Sequence, residues 1–291
     1  MQAMLLAAGF GTRLRPYTLA KPKPLFPVCN VPLLHILLDK LVAAGCERIV
    51  VNCHYLADQI KAAVADRPEV ILQHESEVLG TGGGLRKALD RFSDGSVLVM
   101  NGDIYHDIDL HSILQAHAAT DFSVTMALHD YPRFNSVQVL GNRVCGFSSG
   151  ENLTGLDLLA FTGIHVVNRE VIEQIPADCF FHIIDLYQKL AQAGKIGWLP
   201  VDGCFWQDIG TPADYLALHR YLLFSQTPSW HIHESAVIGK NVKLTDWGVI
   251  GPGAVIGDSA QLSCCVVWEE AGIAAGAHLE DMILLSQKIS E

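Results

Sequence analysis

Apolar and polar residues alternate along the first part of the chain with the periods of buried strands and amphipathic helices. Continuous apolar runs predict buried strands at 1–8, 48–52, 70–73 and 96–100. Apolar residues at intervals of three and four predict helices at 32–44 and 57–65, and a glycine-rich turn at 80–84 opens a third helix. This alternation is typical of a parallel sheet with helices on both faces, and therefore of a Rossmann-like α/β fold.

The pattern changes further along the chain. Apolar runs at 121–128, 137–139, 144–147 and 158–167 predict strands, the last three in a more antiparallel section of the sheet. A helix is predicted at 183–192. Thr211 as N-cap and Pro212 at the first helical position begin another helix, which runs to about residue 224. The sheet is therefore expected to be mixed and mostly parallel.

After a polar linker at 225–231, apolar residues recur every six positions, at Ile232, Ile238, Leu244, Ile250, Ile256, Leu262 and Trp268, before the phase slips by one at Ile273. A six-residue period matches the hexapeptide repeats of a parallel β-helix rather than a helix or a hairpin. The sequence therefore predicts a larger α/β domain at 1–224 and a short left-handed parallel β-helix of about three coils at 232–291.

Composition narrows the classes of function. The chain has 291 residues, half of them hydrophobic, and a formal net charge of −11, which argues against a nucleic-acid binder. The cations Arg13, Arg15, Lys21 and Lys23 form a local cluster suited to an anionic small molecule. Eight cysteines without a Cys-x-x-Cys pair indicate reduced thiols rather than a zinc site. The chain has no signal-like start and no membrane-length apolar run, so a cytoplasmic protein without membrane contact is expected.

Chemistry-bearing residues concentrate in the loop after the first strand, where Gly9 and Gly11 precede a run rich in proline and basic residues. Backbone N–H groups of such a loop can approach phosphate oxygens, and its cations can neutralise them. A dinucleotide fingerprint is excluded because Leu14 occupies the position of its third glycine. A P-loop is excluded because Gly11 is followed by Thr12 and Arg13 instead of lysine and serine or threonine.

The ordered set Gly11-Thr12-Arg13, with Lys23 ten residues after the arginine, resembles the signature of the sugar-1-phosphate nucleotidylyltransferases. The resemblance implies an enzyme that joins a nucleoside triphosphate to a sugar 1-phosphate and releases pyrophosphate. It implies that Gly11, Thr12 and Arg13 hold the departing phosphates and that Lys23 lies near the α-phosphate. Lys21 is interpreted as a charge at the rim of the site.

The same resemblance implies a magnesium cofactor. Asp103, in the run Asn101-Gly102-Asp103, resembles the family's metal ligand, and Asp208 resembles a second one. Mg²⁺ prefers one or two carboxylates together with phosphate oxygens. Arg13, Lys23 and Asp103 are therefore the predicted catalytic residues.

The resemblance also assigns substrate contacts. The predicted nucleotide-binding residues are Leu6, Ala8, Gly9, Gly11, Thr12, Arg13, Glu77, Gly80, Thr81, Gly82, Asn101 and Gly102. The glycines of the second loop would let the backbone approach a flat ring. The predicted sugar-binding residues are Phe161, Thr162, Gly163 and Arg133.

One departure from the family pattern bears on the substrate. Many members carry Glu-Lys-Pro in the middle section, but this chain has no lysine between Lys87 and Lys189, so Arg133 is the nearest substitute, with Arg143 next. The shortened section and the Thr-Gly-Gly-Gly run resemble those of one branch of the family, the enzymes of cell-wall recycling that use N-acetylmuramate 1-phosphate and UTP.

Several alternatives stay open at this point. The β-helix tail resembles the mannose-1-phosphate guanylyltransferases, and a glucose-1-phosphate uridylyl- or thymidylyltransferase also fits. A non-catalytic sugar-nucleotide-binding regulator is the alternative from another class, and acyl transfer by the tail is a third hypothesis. Homo-oligomerisation through the β-helix, or covering of the catalytic domain, is the ordinary role for such a tail.

Overall fold

The computed structural model describes residues 1–148 and 155–286, so residues 287–291 of the predicted tail lie outside the described residues. These residues form two compact units. Unit 1 consists of Met1–Gly9 and the described residues of Leu37–Trp206. Unit 2 consists of Phe10–Ile36 and the described residues from Gln207 onward. The predicted domains at 1–224 and 232–291 divide the chain differently and stay a prediction.

The elements follow one another along the chain as expected for an α/β protein with a strand-rich end. The strands are β1 (Gln2–Leu6), β2 (Pro27–Val28), β3 (Val31–Pro32), β4 (Arg48–Cys53), β5 (Val70–His74), β6 (Ser96–Asn101), β7 (Ile104–His106), β8 (Val124–His129), β9 (Asn135–Leu140), β10 (Arg143–Phe147), β11 (Asp157–Asn168), β12 (Ile196–Pro200), β13 (Trp206–Asp208), β14 (Trp230–Ile232), β15 (Val237–Ile238), β16 (Lys243–Ile250), β17 (Val255–Ile256), β18 (Gln261–Val267), β19 (Gly272–Ile273), β20 (His278–Glu280) and β21 (Ile283–Leu284). The helices are α1 (Tyr17–Ala20), α2 (Leu33–Ala43), α3 (Ala57–Ala63), α4 (Gly80–Lys87), α5 (Leu110–Ala118), α6 (Arg169–Glu173), α7 (Ile183–Gln192) and α8 (Pro212–Leu223).

The main sheet of unit 1 has the strand order β5-β4-β1-β6-β11-β8-β12-β10-β9. Strands β5, β4, β1 and β6 are all parallel, as the continuous apolar runs predict. Strand β11 then runs antiparallel to both β6 and β8, and β9 and β10 pair antiparallel. The sheet is mixed, and its parallel character is confined mainly to the amino-terminal half.

Strands β1, β4 and β6 are buried on both faces, which explains their continuous apolar sequence, whereas β5 at the edge is mostly half-buried. Met4, Val50 and Val99 lie in one hydrophobic cluster with Leu85 of α4 and Tyr187 of α7. Each fully buried aliphatic side chain of this kind contributes about 1.5–3 kcal/mol relative to exposure. The helices are therefore needed to keep these strands from water.

Several elements differ from the sequence-based prediction, and α1, α6 and β12 are among those that it lacks. The glycines at 80–84 are not a turn before a helix, because α4 begins at Gly80 and includes them. Helix α5 was not predicted, although Asp109 is its N-cap and accepts a hydrogen bond from the His111 N–H at 3.0 Å. The capping aspartate followed by apolar residues at helical spacing was a readable signal.

Helix α8 of unit 2 begins where the sequence predicted. The Thr211 side chain accepts a hydrogen bond from the Asp214 N–H at 3.2 Å, and its hydroxyl donates to the Asp214 carboxylate at 2.7 Å. Pro212 occupies the first turn, where no intrahelical N–H is needed. The threonine–proline start therefore acts as predicted.

The carboxyl-terminal strands pair in parallel with strands about eighteen residues further along. Trp230 aligns with Gly248, and Leu244 aligns with Leu262, eighteen positions on. Within β16 the register then shifts, so that Gly248 aligns with Cys265, seventeen positions on. Because of this shift Ile250 aligns with Val267, so the six-residue phase slips before Trp268 and not, as predicted, between Trp268 and Ile273. Strand β14 begins inside the predicted linker, which is therefore shorter than expected.

The described residues contain no helix that is both long enough and apolar enough to cross a bilayer. All eight cysteines lie among these residues as free thiols. Burial raises the pKa of Cys29 and of Cys46 to about 11, so both are protonated at neutral pH.

Candidate active site

The end of β1 lies between two neighbouring strands at the carboxyl edge of the parallel sheet. Leu6 aligns with Asn52 of β4 on one side and with Asn101 of β6 on the other. The Gly102 N–H donates to the Leu6 carbonyl at 2.8 Å, and a Cβ at position 102 would lie 2.8 Å from that oxygen, so only glycine fits. Asp103 follows and is half-buried. The structure thus brings Leu6, Asn101 and Gly102 together, with Asp103 next in the chain.

Beyond β1 the chain leaves this edge through two predicted nucleotide-binding residues. Ala8 is buried, whereas Gly9 is exposed. Gly9 has open space around its Cα, since a Cβ there would meet no atom of the described residues within 4 Å. The backbone at Gly9 is therefore accessible.

Three polar side chains that the sequence analysis did not select form a buried network beside this edge. The carboxylate of Glu75, fully buried, accepts hydrogen bonds from Asn52 Nδ2 at 2.8 Å, from Gln73 Nε2 at 3.4 Å and from the Leu79 N–H at 3.3 Å. Asn52 Oδ1 in turn accepts from the Ala7 N–H at 2.7 Å. The network therefore connects the chain after β1 to the residue before α4. Asn52 and Gln73 interrupt apolar strands, but no sequence pattern marks Glu75, which follows β5, as buried.

Replacing Glu75 with alanine is expected to lower the free energy of unfolding by about 3 kcal/mol, because buried donors would lose their acceptor. The quantity to measure is the midpoint and slope of urea unfolding followed by circular dichroism. The matched control is Glu77→Ala, two residues further on at an exposed position, which should change stability by less than about 0.5 kcal/mol. Equal losses in the two variants would contradict the network's importance.

The glycines of α4 are required by the protein's own packing. A Cβ would lie 2.8 Å from the Phe181 carbonyl oxygen at Gly80, 2.7 Å from the Phe181 ring at Gly82 and 2.5 Å from the Cys179 carbonyl oxygen at Gly83. The Gly82 N–H also donates to the Phe181 carbonyl at 2.9 Å. The close approach of residues 179–183 therefore accounts for these glycines without any ligand. A role of Gly80 and Gly82 in nucleotide binding stays a prediction.

The two other predicted residues of this segment differ in exposure. Glu77 is exposed in the connection between β5 and α4. Thr81 is half-buried, and its hydroxyl accepts a hydrogen bond from the Ile183 N–H at 3.2 Å. Thr81 therefore holds α4 against α7, while Glu77 is accessible to a ligand.

The predicted sugar-binding residues of β11 lie next to a predicted nucleotide-binding residue. Gly163 has φ +80, and a Cβ there would lie 2.6 Å from Asn101 Nδ2. Both the backbone conformation and the close approach of Asn101 therefore require glycine. Thr162 is fully buried, and its hydroxyl donates to the Ala127 carbonyl at 2.8 Å. Phe161 is half-buried at the start of a register shift in β11. The structure therefore brings residues 161–163 and Asn101 together. The Thr162 hydroxyl is already hydrogen-bonded to a carbonyl of the neighbouring strand β8.

Arg133, the predicted substitute for the missing central lysine, lies on an aromatic cluster. Its guanidinium carbon is 5.0 Å from the Phe134 ring centroid, and Tyr131 stacks on Phe134 at 5.6 Å. Trp206 meets Tyr131 edge-on at 5.5 Å and donates its indole N–H to the Thr162 carbonyl at 2.8 Å. The cluster thus connects the loop of Arg133 to the predicted sugar strand.

In unit 2 the residues of the predicted phosphate loop form a tight turn. Gly11 has φ +61, and a Cβ there would lie 2.8 Å from the Thr18 methyl carbon, so glycine is required. Its carbonyl accepts hydrogen bonds from the Thr18 hydroxyl at 3.1 Å and from the Leu14 N–H at 3.0 Å. Thr12, exposed, begins a 3₁₀ turn that also contains Arg13. Gly11 therefore determines the direction in which these side chains leave the loop.

Three predicted site residues converge in unit 2. Lys23 Nζ lies 3.3 Å from Asp208 Oδ1, and their side chains are only 8% and 16% exposed. Gly210 borders the same place, because a Cβ there would lie 2.5 Å from Asp208 Oδ2 and 3.1 Å from both terminal nitrogens of Arg13. A buried ammonium needs such a carboxylate, since leaving it unpaired costs several kcal/mol, about 3–5 for removal of one partner. Arg13, Lys23 and Asp208 therefore form one charged cluster.

The predicted metal ligands agree with magnesium in their chemistry. Among residues 1–148 and 155–286, no three or more histidine, cysteine, aspartate or glutamate side chains converge on a common point. Magnesium does not need such a cage, because it takes one or two carboxylates and completes its shell with phosphate oxygens and water. The carboxylates of Asp103 and Asp208 supply that donor type.

The chain is similar to known proteins over most of its length. The model of the family described as "Nucleotidyl transferase" matches residues 2–224. A mannose-1-phosphate guanylyltransferase from Mycobacterium tuberculosis is 30% identical over 96% of this chain and 83% of its own length. An N-acetylmuramate alpha-1-phosphate uridylyltransferase from Caulobacter vibrioides is 32% identical over 76% of this chain and 96% of its own. A crystal structure of HddC from Yersinia pseudotuberculosis, complexed with GMP-PN, has 25% identity and a TM-score of 0.64, covering 75% of this chain and 97% of that one.

Proposed function

Because this chain belongs to the nucleotidyl transferase family and acts as a sugar-1-phosphate nucleotidyltransferase, we propose that Arg13, Lys23 and Asp103 carry its reaction. An oxygen of the sugar phosphate forms a bond to the α-phosphorus of the nucleoside triphosphate. The bond from that phosphorus to the oxygen bridging it to the β-phosphorus breaks, and its electron pair leaves with pyrophosphate. The attacking phosphate oxygen is already ionised at neutral pH, so catalysis is mainly positioning and charge neutralisation.

The observation that supports this proposal best is the charged cluster of unit 2. Lys23 is paired with the Asp208 carboxylate and Arg13 lies beside Gly210 close by, so these three side chains together keep a net positive charge suited to an anionic substrate. Arg13, together with the backbone of Gly11 and Thr12, holds the departing phosphates. Lys23 stabilises the negative charge that develops around the α-phosphate, a task for which a largely buried ammonium is well suited because few waters screen it.

We propose Mg²⁺ as the cofactor, held by Asp103 and Asp208. When bound, the ion supplies neutralisation of phosphate charge. Asp103 is half-buried at the end of β6, and Asp208 is largely buried in unit 2, so both carboxylates are held in place by their surroundings. Each would take part through carboxylate oxygens, the donors that magnesium prefers.

The remaining predicted residues are proposed to recognise the two substrates. The nucleotide would contact Leu6, Ala8, Gly9, Asn101 and Gly102 around the end of β1, and Glu77, Gly80, Thr81 and Gly82 at the start of α4. The sugar would contact Phe161, Thr162, Gly163 and Arg133. In support, Asn101 lies against Gly163 in the structure, so the two groups of residues adjoin.

For the substrates themselves we propose N-acetylmuramate 1-phosphate and UTP, which would place the enzyme in cell-wall recycling. The relative from C. vibrioides, named for this reaction, supports the pair. A second candidate is mannose 1-phosphate with GTP. It is favoured by the share of this chain that aligns with each relative, which is 96% for the relative from M. tuberculosis and 76% for the uridylyltransferase. Similarity to the guanylyltransferase therefore extends over more of the chain.

The test is a matrix of four nucleoside triphosphates against N-acetylmuramate, mannose, glucose and N-acetylglucosamine 1-phosphates, with pyrophosphate release as the signal. We expect the highest kcat/KM for UTP with N-acetylmuramate 1-phosphate. A maximum for GTP with mannose 1-phosphate would select the second candidate. Binding of an NDP-sugar in calorimetry without turnover of any pair would instead indicate a non-catalytic regulator and overturn the proposal.

For the segment after β14 we propose a short left-handed parallel β-helix that forms a domain at 232–291, separate from a catalytic domain at 1–224. The parallel registers of eighteen and seventeen residues support it, because about eighteen residues make one three-sided coil. Homo-oligomerisation through this segment is part of the proposal. We also place the enzyme in the cytoplasm, where nucleoside triphosphates are available and cysteines stay reduced.

A further inference from the structure

Within unit 2 the repeat segment 230–286, called the tail below, packs directly against the loop 10–36, called the signature loop. The ring of Trp268 in the tail is 3% exposed and meets Phe26 of the signature loop edge-on at 4.7 Å between centroids. Tyr215 of α8 also meets Phe26 edge-on at 5.6 Å, and its hydroxyl accepts the Trp268 indole N–H at 3.1 Å. Phe26 is therefore enclosed between the tail and α8.

Two polar contacts add to this packing. Lys21 of the signature loop forms an ion pair with Glu269 of the tail, and its Nζ lies 5.6 Å from the Trp268 ring centroid. Further along the loop, Asn30 Nδ2 donates to the Ile250 carbonyl of the tail at 3.1 Å. The interpretation of Lys21 as a rim charge is thus incomplete, since this side chain joins the loop to the tail.

These contacts occur on both sides of Lys23. Lys21 precedes it by two residues and Phe26 follows it by three, and both are held by consecutive residues of the tail, Trp268 and Glu269. Between them lies only the short 3₁₀ turn Lys23–Leu25. The backbone at Lys23 therefore has little freedom to move unless a tail contact is released.

We propose that Trp268 and Glu269 are positioning residues of the transfer reaction, which hold the signature loop so that Lys23 stays beside Asp208. The inference rests on the proposed function of Lys23. It assigns the tail a part in the binding of the nucleoside triphosphate by its own chain. If the tail contacts weaken, the signature loop spends part of its time in conformations that cannot bind the triphosphate. The apparent affinity then falls in proportion to the competent fraction.

The test variant is Glu269→Gln in the full chain, which keeps the shape of the side chain and removes its charge. We expect KM for the nucleoside triphosphate to rise about two- to fivefold with kcat nearly unchanged, as loss of a partly exposed ion pair allows. Glu269→Asp, which retains the charge, should restore most of the wild-type KM. The matched control is Glu280→Gln, an exposed carboxylate of the tail on β20, which should leave both constants unchanged.

A second measurement does not depend on turnover. Hydrogen exchange followed by mass spectrometry should show faster exchange across residues 10–28 in Glu269→Gln, with β1 unchanged and the Glu280→Gln protein like wild type. A fall in kcat at constant KM, or unchanged exchange in the signature loop, would overturn the proposal. If the wild-type protein turns over none of the substrate pairs, the proposed function fails, and the exchange measurement still decides whether the tail restrains the loop.

Discussion

Replacing Lys23 with alanine is expected to lower kcat about 10²–10³-fold, the range observed when one fixed electrostatic group is removed from a transition state. Lys23 is the largely buried cation of the cluster with Asp208, so water screens its field little. The chain also has no lysine between Lys87 and Lys189 that could share the task. Steady-state kinetics of pyrophosphate release would measure the effect.

Two further variants separate chemistry from folding. Lys23→Met keeps the apolar stem and removes only the charge, so it should lose as much activity as the alanine variant while its thermal midpoint stays closer to wild type. Lys61→Ala, at an exposed position of α3, is the control and should retain full activity. Near-normal kcat/KM in Lys23→Ala would show that the lysine does not neutralise the transition state.

Substitution of Asp103 by asparagine is expected to reduce kcat/KM by more than about 100-fold and to raise the magnesium concentration required for half-maximal rate. Asparagine fills nearly the same volume, so the half-buried position at the end of β6 should tolerate it. The loss therefore reports the carboxylate charge rather than packing. Rates measured over a magnesium titration, with circular dichroism of both proteins, would check the result.

The control for Asp103→Asn is Asp109→Asn, six residues further along. Asp109 caps α5 through its side chain, and asparagine caps a helix about as well, so neither fold nor activity should change. A magnesium dependence in Asp103→Asn identical to that of wild type would remove Asp103 from the set of metal ligands. Asp208 would then need to be tested alone by the same titration.

Individual elements show how far local sequence patterns determine the fold. Helix α7 has the predicted bounds, and α8 begins at the predicted Thr211–Pro212 start, because amphipathic spacing and caps are local properties of the chain. The glycines of α4 were recognised, but their packing role was not predicted, since their neighbour, the segment around Phe181, is about a hundred residues away in sequence. Periodicity carries no information about such distant contacts.

The candidate site was likewise predictable only where local sequence determines it. The motif around Gly11, with Arg13 and Lys23, and the resemblance that it carries were readable from residue type and spacing. The network of Glu75 was not, because burial of a carboxylate is decided by the strands and helix that surround it. Asp208 was assigned by resemblance, but its pairing with Lys23 joins residues far apart in the chain.

By itself, the sequence determined the class of fold, the six-residue repeat, the family resemblance and the composition of the signature loop, since all of these depend on local order along the chain. Only the tertiary structure decided that β12 pairs parallel with β8 beside the antiparallel strands, why α4 needs glycine, and that the tail packs on Phe26 and pairs with Lys21. The physical reason is that burial, charge pairing and close approach are properties of residues brought together by folding.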